Sequence, residues 1–155
     1  MKIRLCYAST RNESSTDLIE DLNSILSVAR DFNEKNTIFG VLYYANNHFF
    51  QCLEGDKAIV LELFDRIKLD LRHYNIIEFE VVDIDQAIFK NWSMKYVQKG
   101  SKIELFFNNL GLEVFTPSAL NEDNLIILLN ELASEKQTRI RRKVGLNQRG
   151  VTSYL

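Results

Sequence analysis

The stretch "TIFGVLYYANNHFFQCLEG", residues 37–55, reads as two apolar strands joined at the turn "ANNH", a hairpin. Phe49, Phe50, Cys52 and Leu53 are strand-forming, interior residue types. Gln51 stands among them, and a buried glutamine amide that finds no hydrogen-bond partner costs about 1–3 kcal/mol. The fold around this hairpin must therefore supply Gln51 with partners.

Upstream, "KIRLCYAS" reads as a first strand, and the polar "TRNESS" leads into a helix from about Thr16 to Asn33. Leu18, Leu22, Ile25, Ala29 and Phe32 recur at steps of three and four on that helix. Ser15 or Thr16 suits its start, with Asp17 and Glu20 in the first turn. Downstream, Asp56 caps a second helix whose apolar face is Val60, Leu63, Phe64, Ile67 and Leu71. "IIEFEVVDID" then gives another strand and "SMKYVQ" a fifth. The order is βαββαβ with an added strand, an α+β, ferredoxin-like pattern. Beyond Gly100, "KIELFFNNL" forms a helix closed at Gly111, and "NEDNLIILLNELASEK" a longer one begun by Asn121.

In a ferredoxin-like sheet the first and third strands are neighbours. Side chains alternate along each strand, so Leu5 and Tyr7 share a face with Phe49, Gln51 and Leu53, beneath the two amphipathic helices. Cys6, Phe50 and Cys52 face the other way, where the C-terminal helices are available to cover them. Tyr7 and Gln51 thus meet in an apolar layer. A satisfied buried hydrogen bond and a ligand site both fit that meeting.

The chain of 155 residues, 46% hydrophobic and 26% charged with one proline, is long enough for a substantial core and has ordinary globular composition. Its formal charge of −2 argues against wholesale nucleic-acid binding. Residues 136–149 nevertheless carry Lys136, Arg139, Arg141, Arg142, Lys143 and Arg149 with no acidic residue, which suits either a solvated helix end or an acidic partner. Cys6 and Cys52 lack metal-ligand spacing and read as buried thiols. The N-terminus turns polar too early for a signal peptide, and no run approaches a membrane span, so a soluble cytoplasmic protein is expected.

Tyr7 in "CYAS", the helix end "ARDFN", then "GVLYY", "FFQCLEG", "DLRH" and "FKNWSM", in this order and spacing, resemble the BLUF domain, a flavin-binding blue-light sensor. The resemblance covers residues 1–98, and the remainder, 99–155, is similar to the helical extension of short stand-alone members. It implies noncovalent FAD, its ring between the two sheet-packing helices with Ile25 and Ile67 on either side and Asn33 bonded to it. Asp70, Arg72 and His73 match the "D-x-R-H" element near the ribityl and phosphate groups. Tyr7 and Gln51 match the photochemical pair, and Trp92 and Met94 the family pair on the fifth strand. Phe32 and Ala29 depart from polar residues found in several members. The resemblance further implies a sensor, not an enzyme, whose partner is another protein, a transcriptional regulator, reached through the C-terminal helices.

A ferredoxin-like flavin-dependent reductase or small hydrolase is the enzymatic alternative, but the chain shows no paired acid and base, nucleophile beside a base, or oxyanion glycine loop. A Gly-x-Gly-x-x-Gly turn and a phosphate loop are missing too. An RNA-recognition module of the same strand order needs a basic field, whereas residues 1–100 carry 12 basic and 15 acidic side chains.

Overall fold

The computed structural model describes residues 1–13, 17–98 and 100–140. Ser15, Thr16, Arg141, Arg142, Lys143 and Arg149, singled out above, lie outside the described residues. Strand β1 (Lys2–Arg11) is followed by helix α1 (Leu18–Asn36), β2 (Phe39–Ala45), β3 (His48–Asp56), α2 (Lys57–Lys68), β4 (His73–Glu78), β5 (Val82–Ile84), β6 (Lys95–Gln98), α3 (Ser101–Asn109) and α4 (Glu122–Ser134). The sheet order is β4-β1-β3-β2-β6, with β5 also paired to β1. This is the ferredoxin-like arrangement, extended by β6 running parallel to β2.

The hairpin turns through Asn46 and Asn47, whose φ values of 52° and 65° are those of a two-residue turn matched to strand twist. Asp56 caps α2 by accepting from the Ile59 N–H at 3.3 Å. Helix α3 ends in a Schellman motif: Gly111 at φ 81° donates to Asn108 and Leu112 donates to Phe107. The Asn121 side chain accepts from the Asn124 N–H at 2.9 Å and starts α4.

Three expectations change. Helix α1 begins at Leu18 and runs to Asn36, so Asn33 lies inside its last turn and Thr37, left-handed at φ 54°, closes it. Helix α2 stops at Lys68, and Leu71, expected on its apolar face, is 84% exposed in the turn that follows. The single strand expected over 76–85 is two, because Glu78 pairs with Tyr7 and Val82 with Arg4, leaving one more residue on this side than on β1. The surplus bows out at 79–81 and interrupts the ladder.

Alternation divides the core as expected. Leu5, Tyr7, Leu42, Phe49, Leu53, Met94 and Tyr96 pack with Leu22, Ile25, Leu26, Val60, Leu63, Phe64 and Ile67 of α1 and α2. On the opposite face Cys6, Val41, Tyr43, Phe50, Cys52 and Val97 pack with Ile103, Phe106 and Phe107 of α3 and Leu128, Leu129 and Leu132 of α4. At about 25 cal/mol per Å2 of apolar surface, each such side chain contributes roughly 1.5–3 kcal/mol. Both faces are thus covered by helices, and Tyr7 lies on the α1/α2 side.

Candidate functional site

Tyr7 and Gln51 are directly opposite in the β1–β3 ladder. The Tyr7 hydroxyl donates to Gln51 Oε1 at 2.6 Å, both side chains being buried. The amide oxygen faces Tyr7, and Nε2 donates toward Met94 Sδ at 3.7 Å. Burial, reinforced by the charge of Asp70 and opposed by Arg72, pushes the Tyr7 phenol well above its ordinary value, so it holds its proton at any physiological pH. The pair is a neutral phenol hydrogen-bonded to an amide within an apolar layer.

Met94 reaches Gln51 because α1 holds the chain entering β6. Asn33 Nδ2 donates to the Ser93 carbonyl at 2.7 Å, and Arg30 Nε donates to the Met94 carbonyl at 3.0 Å. Asn33 Oδ1 is buried with no hydrogen-bond partner among the described residues. An orphan acceptor of this kind costs about 1–3 kcal/mol and is open to an N–H from a ligand or to a water. Ile25 of α1 and Ile67 of α2 are buried in the same cluster as Tyr7.

Beside the pair, the His73 ring stands edge-on to Tyr7 at 6.0 Å between centroids, and the Phe64 ring lies at 5.2 Å. His73 Nε2 lies 2.7 Å from the Ile67 carbonyl and Nδ1 2.7 Å from Ser9 Oγ. Only a donor can face the carbonyl, so the neutral ring carries its hydrogen on Nε2 and accepts from Ser9. Burial lowers the His73 pKa below 6.5, against smaller opposing contributions from the Ile67 carbonyl and Asp70. The sign follows: the unfolded chain takes up this proton first on acidification. The His73 contribution to stability is therefore complete above the ordinary value of 6.5 and is lost as pH falls below it toward the lower folded value. Thermal unfolding between pH 7.5 and 5.5 should show this loss, and His73→Gln should flatten it; an unchanged slope in the variant contradicts the assignment.

Asp70 is spent on Arg72: it accepts from the Arg72 backbone N–H at 2.9 Å and from Nη2 at 2.6 Å. The carboxylate thereby stiffens the turn after α2 and aims the guanidinium.

Trp92 is not brought to the pair. It is half-buried against the opposite cluster, with Lys95 Nζ 4.2 Å from its ring centroid. The alternation at the start of β6 thus puts Met94 on the Gln51 side and Lys95 on the other. Lys95 is buried and donates to the Ala133 carbonyl at 2.9 Å, in the last turn of α4, where a cation suits the helix dipole.

Sequence reasoning missed Glu54, which is buried on the Cys52 face. Its Oε2 accepts from Arg4 Nε at 3.0 Å and from the Ile88 N–H at 2.9 Å, and Oε1 accepts from the Phe89 N–H at 2.9 Å. The signal was a carboxylate alternating into an apolar strand, the same kind of misfit that drew attention to Gln51. Among the described residues no group of His, Cys, Asp and Glu could hold a metal ion, and no helix is long and apolar enough to cross a membrane.

Comparison with known proteins matches residues 3–95 to the family described as BLUF, sensors of blue-light using FAD. The chain is 36% identical over 87 residues to photoactivated adenylate cyclase subunit alpha of Euglena gracilis, covering 56% of this chain and 8% of that protein. It is 35% identical over 60 residues to the blue light- and temperature-regulated antirepressor BluF of Escherichia coli (strain K12), covering 39% of this chain and 15% of that protein. The match thus spans a small part of either relative. The solved ground state of BlsA is similar with a TM-score of 0.88 and 52% identity, over 93% of this chain and 95% of that one.

Proposed function

The chain belongs to the BLUF family, flavin-binding sensors of blue light, and we propose that in it Tyr7 and Gln51 carry the photochemical step and hand the signal to a protein partner. The 2.6 Å bond between the two buried side chains is the observation that carries this reading. We assign the cofactor as FAD, held noncovalently. FMN or riboflavin fit the same ring site.

The residues present fit such a group. Asn33 Oδ1 supplies an acceptor for a ring N–H, and Ile25 and Ile67 supply apolar walls. Of Asp70, Arg72 and His73 at the turn after α2, Arg72, held in place by Asp70, is the cation whose fork suits a phosphate or ribityl oxygen, while His73 is held by Ser9 and the Ile67 carbonyl. When bound, the flavin supplies the blue absorption band, an excited-state electron acceptor, and carbonyl and nitrogen atoms whose hydrogen bonding sets the band position.

Tyr7 gives up an electron, and its proton crosses the short bond to Gln51 Oε1. Gln51, which offers both donors and acceptors, leaves the exchange by rotation or tautomerisation with a changed hydrogen-bond pattern. Met94, just before β6, is the neighbour that meets the change, and Lys95, next in sequence, carries it to the last turn of α4. No substrate is turned over, and the unit 1–98 senses while 99–155 reports. The likeness to an antirepressor supports a transcriptional regulator as the partner and the cytoplasm as the place of action.

Denaturing the purified protein, expressed with ample riboflavin, should release flavin whose mass and chromatography are those of FAD. Asn33→Leu should lower flavin content several-fold by removing the orphan acceptor. A colourless wild-type protein, or full flavin occupancy in the variant, contradicts the assignment.

A further inference from the structure

On the face away from Tyr7 and Gln51, a groove of about 640 Å3 runs between the back of β1, residues 78–82 and the first turns of α4. Arg4 and Cys6 line its floor, and Phe79, Val82, Leu125 and Ile126 its walls. Val82 and Ile126 are 41% and 42% exposed, so apolar surface is open to a partner here. Its rim is acidic: Glu78, Glu80 and Glu122 border it. The Arg4 guanidinium on the floor is taken up by Glu54, and Glu78, whose side chain is more exposed than covered, meets Lys68 only at 3.8 Å.

Glu80, between β4 and β5, and Glu122, at the start of α4, both border the groove, and the neighbouring Glu80 carboxyl raises the Glu122 pKa above its ordinary value. Two carboxyls in contact repel when both are charged, and a cation between them removes that repulsion. A groove with apolar walls and paired carboxyls at its mouth is complementary to a lysine or arginine flanked by apolar side chains. Its floor also belongs to the switch. Cys6 precedes Tyr7 on β1 and pairs with Cys52, the neighbour of Gln51, so one residue of the rung next to Tyr7 and Gln51 lies in the floor of the groove.

We propose that this groove is the docking site for a segment of the regulatory partner that carries lysine or arginine between apolar residues. The proposal rests on the reading of the chain as a sensor that signals to a protein, and it names the chemistry of that partner. It also moves the receiving surface. The expectation of a basic surface over Lys136 to Lys143 meeting an acidic patch drew on Arg141, Arg142 and Lys143, outside the described residues, whereas the described groove has the opposite charge.

The test uses the full, flavin-loaded chain and a fluorescein-labelled amphipathic helical peptide of leucine and arginine, with binding read by anisotropy. Saturable binding is expected. Glu80→Lys combined with Glu122→Lys should weaken it at least about tenfold, and Val82→Asp comparably. Asp31→Lys combined with Glu34→Lys, exposed on α1, should change it less than about twofold. No binding, equal binding of the peptide with glutamate in place of arginine, or equal weakening by the α1 pair overturns the proposal. So does self-association of the chain by size exclusion that the Glu80/Glu122 reversal abolishes, which assigns the groove to a second copy. The light-induced red shift, recorded on the same samples, separates the two failures: a shift without peptide binding refutes the groove alone, and no shift in the wild type refutes the sensor.

Discussion

Tyr7→Phe is expected to keep its flavin and lose the light-induced red shift of the flavin band altogether. The phenyl ring preserves the packing against Phe64 and His73, and flavin contacts assigned to Asn33, Ile25 and Ile67 are untouched. What goes is the hydroxyl that donates to Gln51 Oε1 at 2.6 Å, at a stability cost of about 1 kcal/mol. Phenylalanine has no proton to transfer and is much harder to oxidise. Trp92→Phe is the contrasting variant: Trp92 packs on the opposite face, and its loss should leave the red shift intact. Absorption spectra before and after blue illumination check both, and a full reversible shift in Tyr7→Phe contradicts the role assigned to Tyr7.

Glu54→Ala should lower stability by about 3–5 kcal/mol, with a fall in unfolding midpoint on the order of 10 °C. The carboxylate has no exposed surface, and its partners are the Arg4 guanidinium and the Ile88 and Phe89 N–H groups. Removing it strands a nearly buried cation and two amide donors together. The same carboxylate ties β3 to the segment that leads to Trp92 and Met94, so the variant should also shift the band position of the dark-state flavin through Met94. Thermal unfolding of the apoprotein isolates the stability effect from cofactor loss. A change below about 1 kcal/mol would show that the network is worth no more than an exposed ion pair.

Alternation made the two faces of the sheet legible from residues 37–55 alone, and the pairing of Tyr7 with Gln51 followed from strand order. These are properties of a period-2 pattern with one face for each helix layer, and little else competes with them. Local geometry set by a single extra residue was not legible. The break between β4 and β5 depends on how many residues span Tyr7 to Arg4 on each side, and the continuous strand-like pattern over 76–82 conceals it. Nor did Leu71, which falls at helical spacing, reveal that Asp70 and Arg72 close a turn there. At the site, the sequence left open whether Trp92 or Met94 of the family pair meets Gln51. Met94 does, and Trp92 packs on the other face, because β6 starts only at Lys95 and Trp92 lies before the alternation is established. Asn33 was recognised through the family pattern, whereas its bare Oδ1 needed coordinates.

The central claim is that Gln51 is the element whose hydrogen bonds change with light. Its most direct test is the light-minus-dark absorption spectrum of flavin-loaded Gln51→Leu. Leucine fills similar volume and fits the apolar layer, so folding and flavin content should persist while the red shift disappears. A reversible shift of wild-type size in this variant would contradict the claim, because no amide would remain between Tyr7 and Met94 to rearrange.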